Sequence, residues 1–159
     1  MNKMLNKVFI LLGSNEGNRR DYLLRAAQAL ANSAGKIAQT SSIYESAPWG
    51  FCADTQFLNQ ALLLMTTLQP LSLLAATQAI ESELGRIRTV DKGYASRCID
   101  IDILFYNNEV VALPQLEIPH PRLHLRRFAL LPMAEIAPTL VHPVLQKNMH
   151  ELLVECDDF

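Results

Sequence analysis

Residues 97–106 read RCIDIDILFY. Apolar and acidic residues alternate along this stretch, and a period of two predicts a β-strand with one buried face. The three isoleucines are expected to point into a core. Asp100 and Asp102 then share the opposite face, roughly 7 Å apart along the strand. This strand therefore predicts both a sheet with a buried side and a pair of neighbouring carboxylates.

The carboxylate pair has two interpretations. Side chains of like charge on one strand face repel each other, and a hard cation such as Mg²⁺ between them relieves the repulsion. Arg97, just upstream, could then bind phosphate oxygens in a bidentate manner. In the alternative interpretation, the pair is the solvated face of an edge strand, kept charged to prevent aggregation. The strand alone does not decide between them.

The rest of the chain predicts alternating strands and helices. The expected elements are, in order, a strand at 8–12, a helix from about Asn18 to Gly35, strands at 37–44 and 57–67, a helix from Pro70 to Gly85, the aspartate strand, a hairpin return at 109–112 and a short helix at 127–136. The order β-α-β-β-α-β is that of the ferredoxin-like α+β sandwich. We expect an antiparallel sheet with two helices on one face, extra C-terminal elements, and one domain over residues 1–159.

Composition restricts the possible partners. The chain has 159 residues, is half hydrophobic and has a formal net charge of −2. That composition excludes a disordered chain and gives no basic surplus for binding nucleic acid. No apolar run is long enough to cross a membrane, and no signal peptide is expected. Three widely spaced cysteines predict reduced thiols and a cytoplasmic location.

Basic side chains cluster in the sequence around the aspartate strand, with His120 inside an Ile-Pro-His-Pro segment. The basic residues are Arg86, Arg88, Arg97, Arg126 and Arg127. Arginines and carboxylates together are typical of phosphoryl-transfer sites, where the cations neutralise phosphate oxygens. The P-loop sequence is absent, and no serine or cysteine triad favours covalent catalysis. Trp49 is either a surface plug or, with Phe57 and Phe128, a sandwich for a flat heterocycle.

With these residues in place, the chain resembles the 6-hydroxymethyl-7,8-dihydropterin pyrophosphokinase family of folate biosynthesis. The matching segments are Gly13-Ser14-Asn15, 41–46 with Pro48 and Gly50, Phe57-Leu-Asn59, Glu81 with 85–88, 96–102, 119–123 and 126–128. They occur in the family's order and spacing along nearly the whole chain. One departure is Tyr94-Ala-Ser-Arg97, where the family often has Trp-Gly-Pro-Arg.

The resemblance implies an ATP- and Mg²⁺-dependent enzyme that transfers pyrophosphate to the hydroxymethyl oxygen of the pterin and releases AMP. The implied catalytic residues are Arg86, Arg97, Asp100 and Asp102, with two Mg²⁺ ions on the aspartates. The implied ATP-binding residues are Gln78, Glu81, Arg88, Tyr94, Ile103, His120 and Arg126. The implied pterin-binding residues are Ser46, Trp49, Phe57, Asn59 and Phe128. The expected partners are these small molecules, and no obligate protein partner is indicated.

Two other functions compete with this one. A non-catalytic ferredoxin-like module that binds a small ligand and regulates a partner would explain the element order alone. A different Mg²⁺-dependent nucleotidyl- or phosphotransferase would keep the metal site and change the acceptor pocket.

Overall fold

The computed structural model describes residues 5–46, 56–85 and 98–158. The most apolar runs form the central strands of one five-stranded sheet. Its strands are β1 (Asn6–Ser14), β2 (Lys36–Thr40), β3 (Tyr44–Ser46), β4 (Phe57–Thr66) and β5 (Asp100–Tyr106). The order is β2-β4-β1-β5, with β3 also paired to β4, and the pairs are antiparallel. The expected antiparallel sheet is confirmed.

Helices cover both faces of this sheet. On one face, α1 (Arg19–Ser33) and α2 (Pro70–Glu83) close a core with the side chains of β1, β4 and β5. On the other, α3 (Arg127–Ile136) and α4 (Met149–Glu155) pack over a second apolar cluster that includes Phe9 and Phe105. The expected C-terminal elements therefore cover part of the second face of the sheet.

Local signals define the helix ends. The Asn18 side chain accepts a hydrogen bond from the Asp21 N–H, which caps α1 as expected. Pro70 occupies the first turn of α2, where its missing N–H costs nothing. Gly85 follows α2 with a φ of +97°, a conformation that side chains disfavour. No helix in the described parts of the chain is long and apolar enough to cross a membrane.

Two strand predictions from the sequence differ from the structure. The strand expected at 37–44 is interrupted between β2 and β3, because the Ser41 hydroxyl accepts the Ala61 N–H at 2.9 Å in place of a backbone carbonyl. The hairpin return expected at 109–112 is also wrong. Strand β6 (Val111–Leu113) pairs instead with β7 (Leu116–Ile118) in a separate two-stranded sheet.

Candidate active site

The aspartate strand has the two faces that its sequence predicts. Ile99, Ile101 and Ile103 are buried in the core under α1 and α2, whereas Asp100 and Asp102 are half-buried on the opposite face. Within the described residues, β5 ends the strand order and has β1 as its one neighbouring strand. The aspartates thus lie on an edge strand, but on the face that α3 and α4 cover only in part.

Glu81 supports the backbone between the two aspartates. It lies on α2, is only 3% exposed, and its Oε2 accepts a hydrogen bond from the Ile101 N–H at 2.9 Å. This N–H would otherwise need a partner at the edge of the sheet. Gln78, three residues earlier on α2, is exposed. Of these two expected ATP-binding residues, the structure therefore places only Glu81 against β5.

Gly13 separates the aspartate strand from the polar end of β4. In the sheet register Gly13 lies opposite both Asp100 on β5 and Asn59 on β4. A Cβ at Gly13 would lie 3.4 Å from the Asn59 Oδ1 and 3.7 Å from the Phe57 ring. Directly paired residues project to the same face of a sheet. The missing side chain therefore leaves space between Asn59 and Asp100.

The other side of this space is lined by β4 and β3. Asn59 is 2% exposed, and its Nδ2 donates a hydrogen bond to the Ser46 Oγ at 2.7 Å. Ser46 in turn lies opposite Phe57 in the register. The expected pterin residues Ser46, Phe57 and Asn59 are thus brought together by the pairing of β3 with β4. A buried amide held by a hydroxyl is a fixed polar group suited to reading the edge of a ligand.

Phe128 and Arg126 lie at the start of α3. The Arg126 guanidinium is 5.5 Å from the centroid of the Phe128 ring, a cation–π distance. Arg126 is buried, and Phe128 is half-buried against the cluster under α3. Helix α3 packs on β3 and β4, the strands that carry Ser46 and Asn59.

His120 is held as a neutral imidazole. Burial is the main cause that lowers its pKa to about 4; the charges of Arg126 and Arg122 act in the same direction, and the charge of Asp100 opposes them. Its Nδ1 accepts the Arg122 N–H at 3.2 Å, so the proton of the neutral ring lies on Nε2. His120 therefore offers one N–H donor at neutral pH.

The remaining expected site residues are placed differently. Ile103 is 5% exposed and belongs to the core under α1 and α2. The predictions for Arg86, Arg88, Tyr94, Arg97 and Trp49 fall outside the described residues. A cavity of about 390 Å³ is lined in part by His120, by residues of the β6–β7 hairpin and by Val144. This cavity includes neither aspartate. The space beside Gly13, which borders Asp100, is therefore the candidate site.

Comparison with known proteins decides between the competing functions. The family model for 7,8-dihydro-6-hydroxymethylpterin-pyrophosphokinase (HPPK) matches residues 9–138. The chain belongs to this family. The expected enzyme class, a pyrophosphokinase acting on a hydroxymethyl dihydropterin in folate synthesis, is confirmed. HPPK membership also argues against the non-catalytic regulatory module.

Curated relatives cover most of the HPPK chain. It is 46% identical over 134 residues to the 2-amino-4-hydroxy-6-hydroxymethyldihydropteridine pyrophosphokinase of Bacillus subtilis, covering 84% of this chain and 79% of the relative. The enzyme of the same name from Aquifex aeolicus is 40% identical over 148 residues, 93% and 91% of the two chains. The folic acid synthesis protein fol1 of Pneumocystis carinii is 44% identical over 86% of this chain, which spans only 18% of that protein.

Solved structures show the same fold. Plasmodium falciparum HPPK-DHPS with pteroate superposes with a TM-score of 0.77 at 19% sequence identity, covering 98% of this chain and 43% of that one. At this identity the likeness concerns the fold. The chain spans less than half of this longer protein, so the activity of the remainder is not transferred to it.

Gly13 is a site feature that the residue-type arguments do not single out. It lies within β1 and separates two of the expected site residues, Asn59 and Asp100. A glycine ending an otherwise apolar strand is a known sign of close approach by a ligand or another backbone. That signal was available in the sequence and could have identified the residue.

Proposed function

We propose that the chain transfers pyrophosphate from ATP to the hydroxymethyl oxygen of 6-hydroxymethyl-7,8-dihydropterin, releasing AMP, at the end of β1. The observation that carries this proposal is the row Asn59–Gly13–Asp100 across three strands. In this row the proposed acceptor residue Asn59 and the carboxylate Asp100 lie on either side of Gly13, which has no side chain to fill the space between them. Two substrates bound side by side in this way have already lost translational and rotational entropy before the chemical step.

The donor set at Asp100 and Asp102 fits Mg²⁺. The described residues contain no group of three or more histidine, cysteine, aspartate or glutamate side chains able to hold a metal. Two carboxylates are what Mg²⁺ commonly takes from a protein, since it keeps several waters and binds substrate phosphates. Two bound Mg²⁺ ions would supply charge neutralisation for the triphosphate and the oxygen atoms around the transferred phosphorus.

We assign the nucleotide to the side of the aspartates nearest His120 and Arg126. His120 contributes a neutral N–H donor, and Arg126 contributes a buried cation. Both groups interact favourably with phosphate or ribose oxygens. The further nucleotide residues of this proposal are Gln78, Glu81, Arg86, Arg88, Tyr94 and Arg97, with Arg86 and Arg97 assigned to the reacting phosphates. Ile103, whose side chain lies in the core, takes part through its backbone.

We assign the pterin to the side of Asn59. The Asn59 amide and the Ser46 hydroxyl read the polar edge of the heterocycle, while Phe57 and Phe128 hold its faces, with Trp49 alongside. Buried polar groups discriminate strongly, because an analogue that lacks the matching groups leaves them unpaired. The pocket therefore explains selectivity for a pterin as acceptor.

The topology and setting of the enzyme complete the proposal. The order β2-β4-β1-β5, with α1 and α2 on one face, supports a ferredoxin-like arrangement. The proposed partners are ATP and the pterin, with neither nucleic acid nor membrane involved. Cytoplasmic localisation stays a prediction from the cysteines.

Product analysis tests the reaction. The protein is mixed with ATP, Mg²⁺ and the hydroxymethyl pterin, and nucleotide products are separated by chromatography. AMP should form only when all three are present and should cease when EDTA removes the metal. AMP that forms without the pterin, or ADP in place of AMP, would contradict the proposal.

A further inference from the structure

A carboxylate on α3 binds the segment that leads into β3. Glu135 accepts hydrogen bonds from the Ser42 N–H at 3.0 and 3.1 Å, from the Ser42 hydroxyl at 3.2 Å and from the Tyr44 hydroxyl at 2.6 Å. The Tyr44 bond lowers the pKa of Glu135 and raises that of Tyr44, because it stabilises the ionised carboxylate and the neutral phenol. We call these three residues the Glu135 clamp.

One end of the clamp leads directly to the acceptor residues. Tyr44 begins β3 and lies opposite Asn59, and Ser46 ends the strand. Ser46 accepts the hydrogen bond from Asn59. A short strand of three residues has little pairing of its own to fix it. Its position relative to the rest of the site therefore depends on additional contacts such as the clamp.

The other end of the clamp lies on α3, the helix that carries the proposed pterin residue Phe128. Glu135 lies seven residues after Phe128 on α3. At 3.6 residues per turn, positions seven apart lie on the same helix face, roughly 10 Å from each other along the axis. The clamp thus connects the element that carries Ser46 with the element that carries Phe128.

A purely structural role would have a different signature. Glu135 and Ser42 are exposed, and water can replace hydrogen bonds at such a position. Exposed polar contacts contribute little to overall stability. The clamp can nevertheless hold β3 close to α3. Three donor groups from the segment leading into β3 bind the single carboxylate of Glu135 on α3.

We propose that Glu135 is a positioning residue for the acceptor site, holding β3 against α3 so that Ser46 and Phe128 keep their separation across the pterin. This rests on the proposed location of the pterin pocket. The clamp touches neither substrate. It acts through β3, which carries the pterin residue Ser46 and no residue assigned to ATP. Loss of the clamp therefore weakens binding of the pterin and leaves binding of ATP unchanged.

Steady-state kinetics of three variants test the proposal. Glu135→Ala removes the clamp, Tyr44→Phe removes one donor, and Glu135→Gln keeps the shape with weaker acceptors. For Glu135→Ala and Tyr44→Phe, the KM for the pterin should rise roughly threefold to tenfold, as for loss of about one hydrogen bond. Glu135→Gln should lie between Glu135→Ala and the unaltered enzyme. The KM for ATP and the melting temperature should remain close to their original values.

Two controls make the result specific. Glu155→Gln alters an exposed carboxylate on α4 that pairs with Lys147 at 2.7 Å, and it should leave the pterin KM unchanged. Asn59→Ala tests the pocket itself. Suppose that Asn59→Ala raises the KM for the pterin, so that the pocket location holds. An unchanged pterin KM in folded Tyr44→Phe, or equal changes in the KM values for pterin and ATP, would then overturn the clamp. An unimpaired Asn59→Ala would overturn the pocket location and the clamp with it.

Discussion

The two faces of the central sheet are built differently. On the α1/α2 face, inward positions of β1, β4 and β5 such as Ile10, Leu62 and Ile103 are apolar and buried. On the α3/α4 face the apolar cluster includes Phe9 and Leu11, but the same face continues along β1 to Gly13, beside Asn59 and Asp100. Packing on the α1/α2 face, here called the closed face, holds the strands in place. The polar side chains on the partly covered face are therefore held in fixed positions as well.

This difference teaches how a small domain combines rigidity with a site. A polar group held on a strand whose other side is fully packed moves little, so its position is known before the ligand arrives. Stability and activity should therefore separate when residues on the two faces are altered. Substitutions on the polar row should affect catalysis alone, and substitutions on the closed face should affect folding.

The largest effect is expected at the aspartates. Asp100→Ala or Asp102→Ala should lower kcat/KM by about a thousandfold or more, because the charge of the triphosphate is then no longer compensated. Both side chains are half-buried, so circular dichroism should barely change. The AMP assay and the circular dichroism spectrum are measured on the same preparation. Unfolding of either variant would instead support a structural role for the pair.

The opposite behaviour is expected on the closed face. Leu73 on α2 is fully buried, and Leu73→Ala should lower the free energy of unfolding by about 2 to 5 kcal/mol through lost burial and a cavity. Urea denaturation measures this change. The kcat of the fraction that remains folded should match that of the unaltered enzyme, and a specific loss of kcat would break the proposed separation of the faces.

A smaller effect is expected at Gly13. Gly13→Val places side-chain atoms in the space next to the Asn59 Oδ1 and the Phe57 ring. The KM for the pterin should rise about tenfold, the cost of roughly 1.4 kcal/mol of lost binding. Ala61→Val, at a position two residues from Asn59 on the same strand face, serves as the control for added bulk under α3. A Gly13→Val enzyme with the original pterin KM would remove Gly13 from the site.

The smallest effect concerns pH and lies away from the polar row. His142 packs edge-on against Phe105, and its Nδ1 accepts the N–H groups of Val144 and Leu145. Burial lowers the pKa of His142 below its ordinary value, with the charge of His124 as a second cause. The neutral form is thus favoured by folding. Its contribution to stability is complete above pH about 6.5 and decreases as the pH falls toward the folded-state pKa.

The measurement is the free energy of unfolding against pH for the unaltered protein and for His142→Asn, whose amide oxygen can accept the same N–H groups. The variant should lose less stability between pH 7 and 5 than the unaltered protein does. Parallel curves would show that His142 does not titrate in this way.

The sequence could predict the faces of the elements better than their pairing. The alternation around Asp100 correctly placed the isoleucines in the core, because side-chain direction in a strand follows from local spacing. The break between β2 and β3 could not be predicted, because it depends on the Ser41 hydroxyl meeting the Ala61 N–H across the sheet. The pairing of β6 with β7 likewise depends on which neighbour the folded chain offers.

The site divides in the same way. The aspartates and Asn59 were identifiable by residue type and by resemblance to the HPPK family. The contact between Glu81 and the Ile101 N–H, and that between Glu135 and Tyr44, join elements distant in sequence. Neither contact follows from any local pattern. The glycine itself is a sequence signal, but which residues it separates depends on its two strand partners.

The most direct test of the central claim is paramagnetic broadening in NMR spectra of the complete enzyme with Mn²⁺, a non-hydrolysable ATP analogue and the pterin. The backbone amides of Gly13, Asn59 and Asp100 should broaden strongly, with little effect on Leu152 in α4. Broadening centred elsewhere, with the Gly13 and Asp100 amides unaffected, would contradict a reaction site at the end of β1.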